Sequence, residues 1–66
     1  MGERLKQLRL ERNLRLKDVA AAVGVTLNAI SMYEAGLREP SYDILKKLCI
    51  LLEVTADYLI GLTDYY

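Results

Sequence analysis

At 66 residues the chain has material for one domain, 1–66, and no room for a second; a core this small is marginal, so efficient helix packing is required and dimerisation would help. Apolar residues make up 53% of it but are dispersed, with no run approaching the roughly 18 residues of a membrane span, and the opening MGERLKQLRLER is too charged for a signal peptide. One cysteine and no histidine exclude an internal disulfide and a Cys/His metal site, while a formal net charge of zero argues only weakly against a nucleic-acid partner.

Five short helices are marked by their punctuation. The first is predicted over about 3–12, with Leu5 and Leu8 inward, its basic residues mostly outward and Asn13 as its stop. The second, about 15–23, carries Leu16, Val19, Ala20 and Val23 at i, i+3, i+4, i+7, a helical stripe. Gly24 follows where a left-handed cap is needed. Thr26 then N-caps a third helix running to about Ala35, closed by Gly36. After the loop LREP, Ser41 caps a fourth helix to about Leu52 that buries Ile44, Leu45, Leu48, Cys49 and Leu52. Thr55 caps a fifth through Ile60, stopped by Gly61. No β-alternation, repeat or low-complexity segment occurs, so the fold class is all-α.

Charge is unevenly spread. Residues 1–17 hold six basic side chains against two acidic ones, a balance of +4, and residues 18–66 hold three against seven, a balance of −4. Such a chain presents either a positive face or an ordinary solvated helix surface. Enzyme chemistry has little to work with: no histidine, one cysteine on an apolar helical stripe, no recognisable carboxylate pair and four scattered glycines. The chain therefore reads as a non-enzyme, with no cofactor and no metal.

Helices two and three, joined by AAVGVT, are the informative pair. Ala20 supplies a small side chain where the third helix approaches, Gly24 the turn, and Val25 and Ile30 the anchors of the second arm. Any tight αα-corner fits that pattern as well as a DNA reader does. The match extends further, through RLKQLRLERNL, DVAAAVGV, AISMYEAGLREPS and LKKLCILLEVTADYLIGL. Residues 3–62 resemble the Cro/repressor-type (XRE-like) helix-turn-helix family of bacterial and phage regulators. The resemblance implies a compact five-helix bundle of the lambda-repressor type, its helix-turn-helix at about 15–35. It implies a transcriptional regulator, repressor-like, whose helix beginning near Thr26 lies in the major groove of double-stranded DNA. A homodimer on an inverted-repeat operator and a cytoplasmic, nucleoid-associated location in a bacterium, host- or phage-encoded, go with it.

Roles carry over residue by residue. The family pairs an arginine at the position of Arg9 with a glutamate at the position of Glu34, which implies a structural ion pair between helices one and three. Its phosphate contacts fall at Arg15, Lys17, Thr26, Ser31, Tyr33 and Arg38, and its base-reading positions at Leu27, Asn28, Ala29 and Met32. With Ile30 taken as inward, about 100° per residue places Asn28 and Met32 opposite it. Asn28 is then the best-placed hydrogen-bonding reader, while Leu27, Ala29 and Met32 suit thymine methyls. Two departures stand out: Leu16 replaces a phosphate-gripping glutamine, and the reading face is apolar. Either the chain reads A/T-rich sequence with phosphates supplying most of the affinity, or Leu16, Leu27 and Met32 form a protein-association surface, natural or engineered. At the C-terminus Tyr58, Leu59 and Leu62 are expected to close part of the core. Tyr58, Ile60, Leu62, Tyr65 and Tyr66 mark an edge that the family uses as its two-fold dimer interface.

Overall fold

The computed structural model describes residues 1–65, so Tyr66 and its expected part in a dimer edge lie outside the described residues. Five helices follow in order: α1 Gly2–Glu11, α2 Leu16–Val23, α3 Leu27–Glu34, α4 Tyr42–Leu52 and α5 Ala56–Ile60, with no strand among the described residues. Each begins and ends where its local chemistry dictates. The hydroxyls of Thr26, Ser41 and Thr55 accept from the amides of Ala29, Ile44 and Tyr58 at 3.1, 3.3 and 3.1 Å, each satisfying one of the orphan donors of a first turn. At α2 the cap works in reverse. Arginine has no acceptor to offer, so Asp18 reaches back and accepts from the Arg15 amide at 2.9 Å.

Gly24 closes α2 with φ of 78°, its N–H donating to the Ala20 carbonyl at 2.9 Å. Asn13 stops α1 at φ 57°, as expected of a residue whose short side chain tolerates the left-handed region. Glu53 does the same job for α4 at φ 58° with no such excuse, a local cost of about 1 kcal/mol.

One core joins all five helices. Leu5, Leu8, Val19, Val23, Ile30, Leu48, Leu52 and Leu59 are completely or almost completely shielded, with Ala20, Ala29, Tyr33 and Val54 completing the cluster. On α4 only Leu48 and Leu52 sink fully; Ile44, Leu45 and Cys49 pack at its rim, because α4 leans on α2 and α5 along one narrow stripe. Leu59 closes the core from α5 as expected. Leu62 does not: it is 74% exposed, since Gly61 turns the chain out of α5 with φ of 93°. Two further contacts hold the helices in register. Gly2 lies so close to the end of α3 that a Cβ there would collide with the carbonyls of Tyr33 and Glu34, so only glycine fits.

The second contact is Arg4, which the sequence places on the outer, basic side of α1. Its guanidinium instead lies over the Tyr58 ring, 4.3 Å from the centroid. It donates from Nη1 to the carbonyls of Tyr58 at 2.7 Å and Thr63 at 2.6 Å, and from Nη2 to Asp64 Oδ1 at 2.7 Å. The Tyr58 ring and carbonyl tie α5 to the first helix, and the Thr63 carbonyl and Asp64 carboxylate fasten the segment after α5 to it.

Candidate functional site

The α2–α3 corner is built from small and branched residues. Ala20 is buried, leaving room for α3 to approach α2 closely, and Ile30 is fully shielded behind the corner. Helix α3 packs on α2 along one flank and on α1 along another. Its buried residues are accordingly Ala29, Ile30 and Tyr33, an arc about 100° wide and not a single line centred on Ile30. The centre of that arc sits about 50° from Ile30 toward Ala29, and the outward face rotates by the same amount.

Three expectations change with this rotation. Ala29 is 5% exposed and belongs to the core, which leaves it no free surface for the base contact expected of it. Tyr33 is 4% exposed; its ring is core, not a phosphate contact on the surface. Met32 is half-buried, whereas Leu27, at 48%, turns out to solvent. The outward strip of α3 is therefore Leu27, Asn28, Ser31 and Ala35, all exposed. Ser31 lies nearest its middle and Asn28 at its edge, about 30° from the outward direction. Asn28 is the strip's one side chain with both an amide donor and a carbonyl acceptor, and its amide makes only a weak contact, Nδ2 to Met32 Sδ at 3.6 Å. The apolar patch foreseen from Leu16, Leu27 and Met32 shrinks, since Leu16 packs against the core and Met32 is half covered.

Behind the strip stands an ion pair. Arg9 donates from Nε to Glu34 Oε2 at 2.6 Å and from Nη2 to Oε1 at 3.1 Å, and Nη1 donates to the Leu14 carbonyl at 3.0 Å. The two side chains are 10% and 8% exposed. The hydrogen bonds that Arg9 donates to Glu34 outweigh burial and hold the guanidinium pKa above its ordinary value, so Arg9 is charged throughout the accessible range. The pair fixes the C-terminal end of α3 to α1 and cancels its own charge.

The remaining cations differ in freedom. Arg15 reaches Asp18 at 3.4 Å, but its side chain is 72% exposed, so the contact is worth little and easily exchanged. Asp18 is held below the usual carboxylate range, first by the backbone N–H of Arg15 and then by its guanidinium and by Lys17. Lys6, Lys17 and Arg38 are exposed and have no ion-pair partner among the described residues. Thr26, Ser31, Arg15 and Lys17 gather at the start of α2 and along α3, where helix N-termini also favour anions. Arg38 stands on the loop after α3. Ile60, Leu62 and Tyr65 are exposed at 45%, 74% and 83%, while Tyr58 is half-buried beneath Arg4. No sequence signal announces Arg4 as part of this edge, because its partners lie 54 to 60 residues away.

The family model described as helix-turn-helix matches residues 5–59. The HTH-type transcriptional regulator YobD of Bacillus subtilis, itself uncharacterised, is 37% identical over 62 residues, covering 94% of this chain and 55% of that protein. The chain thus spans about half the length of the curated relatives it matches. The P22 c2 repressor, solved in complex with a synthetic operator, superposes with a TM-score of 0.86 at 34% identity, over 88% of each chain. SinR, a master regulator of biofilm formation solved in complex with DNA, gives 0.82 at 33% identity, over 91% of this chain and 97% of that one.

Proposed function

The chain belongs to the helix-turn-helix family, and from that premise we propose that it is a DNA-binding transcriptional regulator of the repressor type, with α3 as its probe in the major groove. The observation that carries the reading is the division of α3. One arc is locked into the core and tied to α1 through Arg9 and Glu34, while the opposite strip, which carries Asn28 and Ser31, is open. A helix that reads bases must be rigid behind and free in front.

Asn28 has the donor and acceptor for a bidentate pair with adenine, worth about 1–3 kcal/mol of discrimination, and Leu27 beside it suits a thymine methyl. Arg15, Lys17, Thr26, Ser31 and Arg38 are the phosphate anchors in this reading. Two copies meet through the edge of Ile60, Leu62 and Tyr65, setting two α3 helices about 34 Å apart on an inverted repeat. The bacterial cytoplasm is the corresponding location; no helix among the described residues is long and apolar enough to cross a membrane.

The test is selection from random duplexes at two salt concentrations, followed by fluorescence anisotropy on the recovered sequence. The expected result is an inverted repeat with A/T-rich half-sites and a steep fall of affinity with salt. No enrichment, or binding indifferent to salt, refutes the proposal. Asn28→Ala separates readout from anchoring: it should lower the preference for the selected sequence about 5- to 150-fold while leaving the salt slope unchanged.

A further inference from the structure

We infer that Lys6, together with Ser31, forms an additional anchor for a DNA backbone phosphodiester, placed on α1 and outside the helix-turn-helix itself; the inference rests on the DNA-binding reading above. Beside α3 lies a concavity of about 280 Å³ lined by Lys6, Arg9, Leu16, Ser31, Glu34 and Ala35. Its charges can be counted. Arg9 and Glu34 neutralise each other, and the three guanidinium nitrogens of Arg9 are all committed, two to Glu34 and one to the Leu14 carbonyl. Leu16 and Ala35 are apolar walls with no side-chain donor to give. What remains is the Lys6 ammonium and the Ser31 hydroxyl, both exposed and neither with a side-chain partner among the described residues.

A single net positive charge beside one hydroxyl donor, within otherwise cancelled surroundings, suits a singly charged tetrahedral anion. Lysine and serine also serve guanine edges, so it is the place of Lys6 on α1, beside the probe helix and not on it, that assigns this pair to the backbone. The position also fits. Ser31 and Ala35 belong to the outward strip of α3, so a strand bordering the groove that α3 enters passes over the mouth of the concavity. Lysine brings a long stem and three rotatable donors, able to reach a phosphate from the adjacent helix as a point charge. Leu16 offers nothing to hold such a group, which leaves α1 and α3 to do so.

The experiment measures operator affinity by anisotropy between about 50 and 200 mM salt for the full chain and for Lys6→Gln, Lys6→Arg and Lys46→Gln. Lys46 stands on α4 against Tyr42, remote from the concavity by element, and controls for loss of one charge anywhere. Because each of the two copies on the operator loses one contact, Lys6→Gln should make the slope of log affinity against log salt shallower by about 1.8, so that its deficit shrinks about 12-fold over that fourfold rise. The ratio of selected to scrambled duplex stays unchanged, Lys6→Arg keeps the slope, and the melting temperature does not move because Lys6 is exposed. A methylphosphonate replacing one phosphate at a time should find a position that weakens the wild type and leaves Lys6→Gln unaffected. A Lys6→Gln slope equal to wild type, or one matched by Lys46→Gln, overturns the anchor while leaving DNA binding in place. A wild-type chain that binds no duplex at any salt overturns both.

Discussion

Removing Glu34 is the sharpest perturbation this fold offers. Glu34→Ala strands the Arg9 guanidinium in a site where it is 10% exposed, with the Leu14 carbonyl as its one remaining acceptor. A guanidinium cannot shed its proton, so the desolvation is uncompensated. Breaking one half of a buried pair costs about 3–5 kcal/mol, and the lower figure applies in a domain this thin, where water is never far away. Total stability for a chain of this length is about 3–10 kcal/mol. Glu34→Ala should therefore lose a third of its stability at the least and border on unfolding at the most. The double variant Arg9→Met/Glu34→Leu removes both charges and fills similar volume, so it should melt within about 1 kcal/mol of wild type, or above it. Urea titration followed by circular dichroism gives all the values of the double-mutant cycle, Arg9→Met included. If the double variant loses the sum of the two single losses, the two side chains are not coupled and the brace behind α3 is imaginary.

Glu53→Gly should raise stability by about 1 kcal/mol, because glycine takes the left-handed conformation at the end of α4 without steric cost; the melting temperature should rise by about 4–8 °C. Asp18 is depressed chiefly by the Arg15 amide, so its contribution is present above the ordinary carboxylate range and is lost as pH falls through its own lower midpoint; Asp18→Asn should flatten that part of an acid denaturation curve. Burial raises the Cys49 thiol, so its stabilising effect is complete below the ordinary thiol range and fades as pH rises beyond it. Its reaction with a disulfide reagent near neutral pH should be slower than that of the same chain in urea, and equal rates would contradict the burial.

Most of the frame was legible because helix punctuation is local chemistry. Thr26, Ser41 and Thr55 cap where their hydroxyls can meet an orphan amide two to three residues on, and Gly24 and Gly61 stand where the chain turns left-handed. The Arg9–Glu34 pair came from family resemblance, since no spacing rule joins residues 25 apart. The rotation of α3 was not legible. Eight residues hold too few apolar positions to fix a phase, and which flank is buried depends on α1 and α2 arriving from two sides. Ala29 shows the limit: a methyl group looks the same to the sequence whether it faces the core or water. Glu53 was missed because a charged residue gives no advance notice of a positive φ. From the sequence Lys6 is one more basic residue of the N-terminal segment; only the fold sets it beside Ser31.

The grip of Arg4 on the chain beyond α5 has a thermodynamic corollary. Residues 61–65 have no helix to order them, and such a tail ordinarily loses about 1–2 kcal/mol of conformational entropy per residue when something lands on it. Here Arg4, seated on Tyr58 of α5, donates to the Thr63 carbonyl and the Asp64 carboxylate and so offsets part of that cost within the monomer. Any surface that docks on Ile60, Leu62 and Tyr65 meets a stiff lip and keeps more of its contact energy as affinity. Severing the grip should leave the helices intact, weaken docking there, and open a site for proteases after α5.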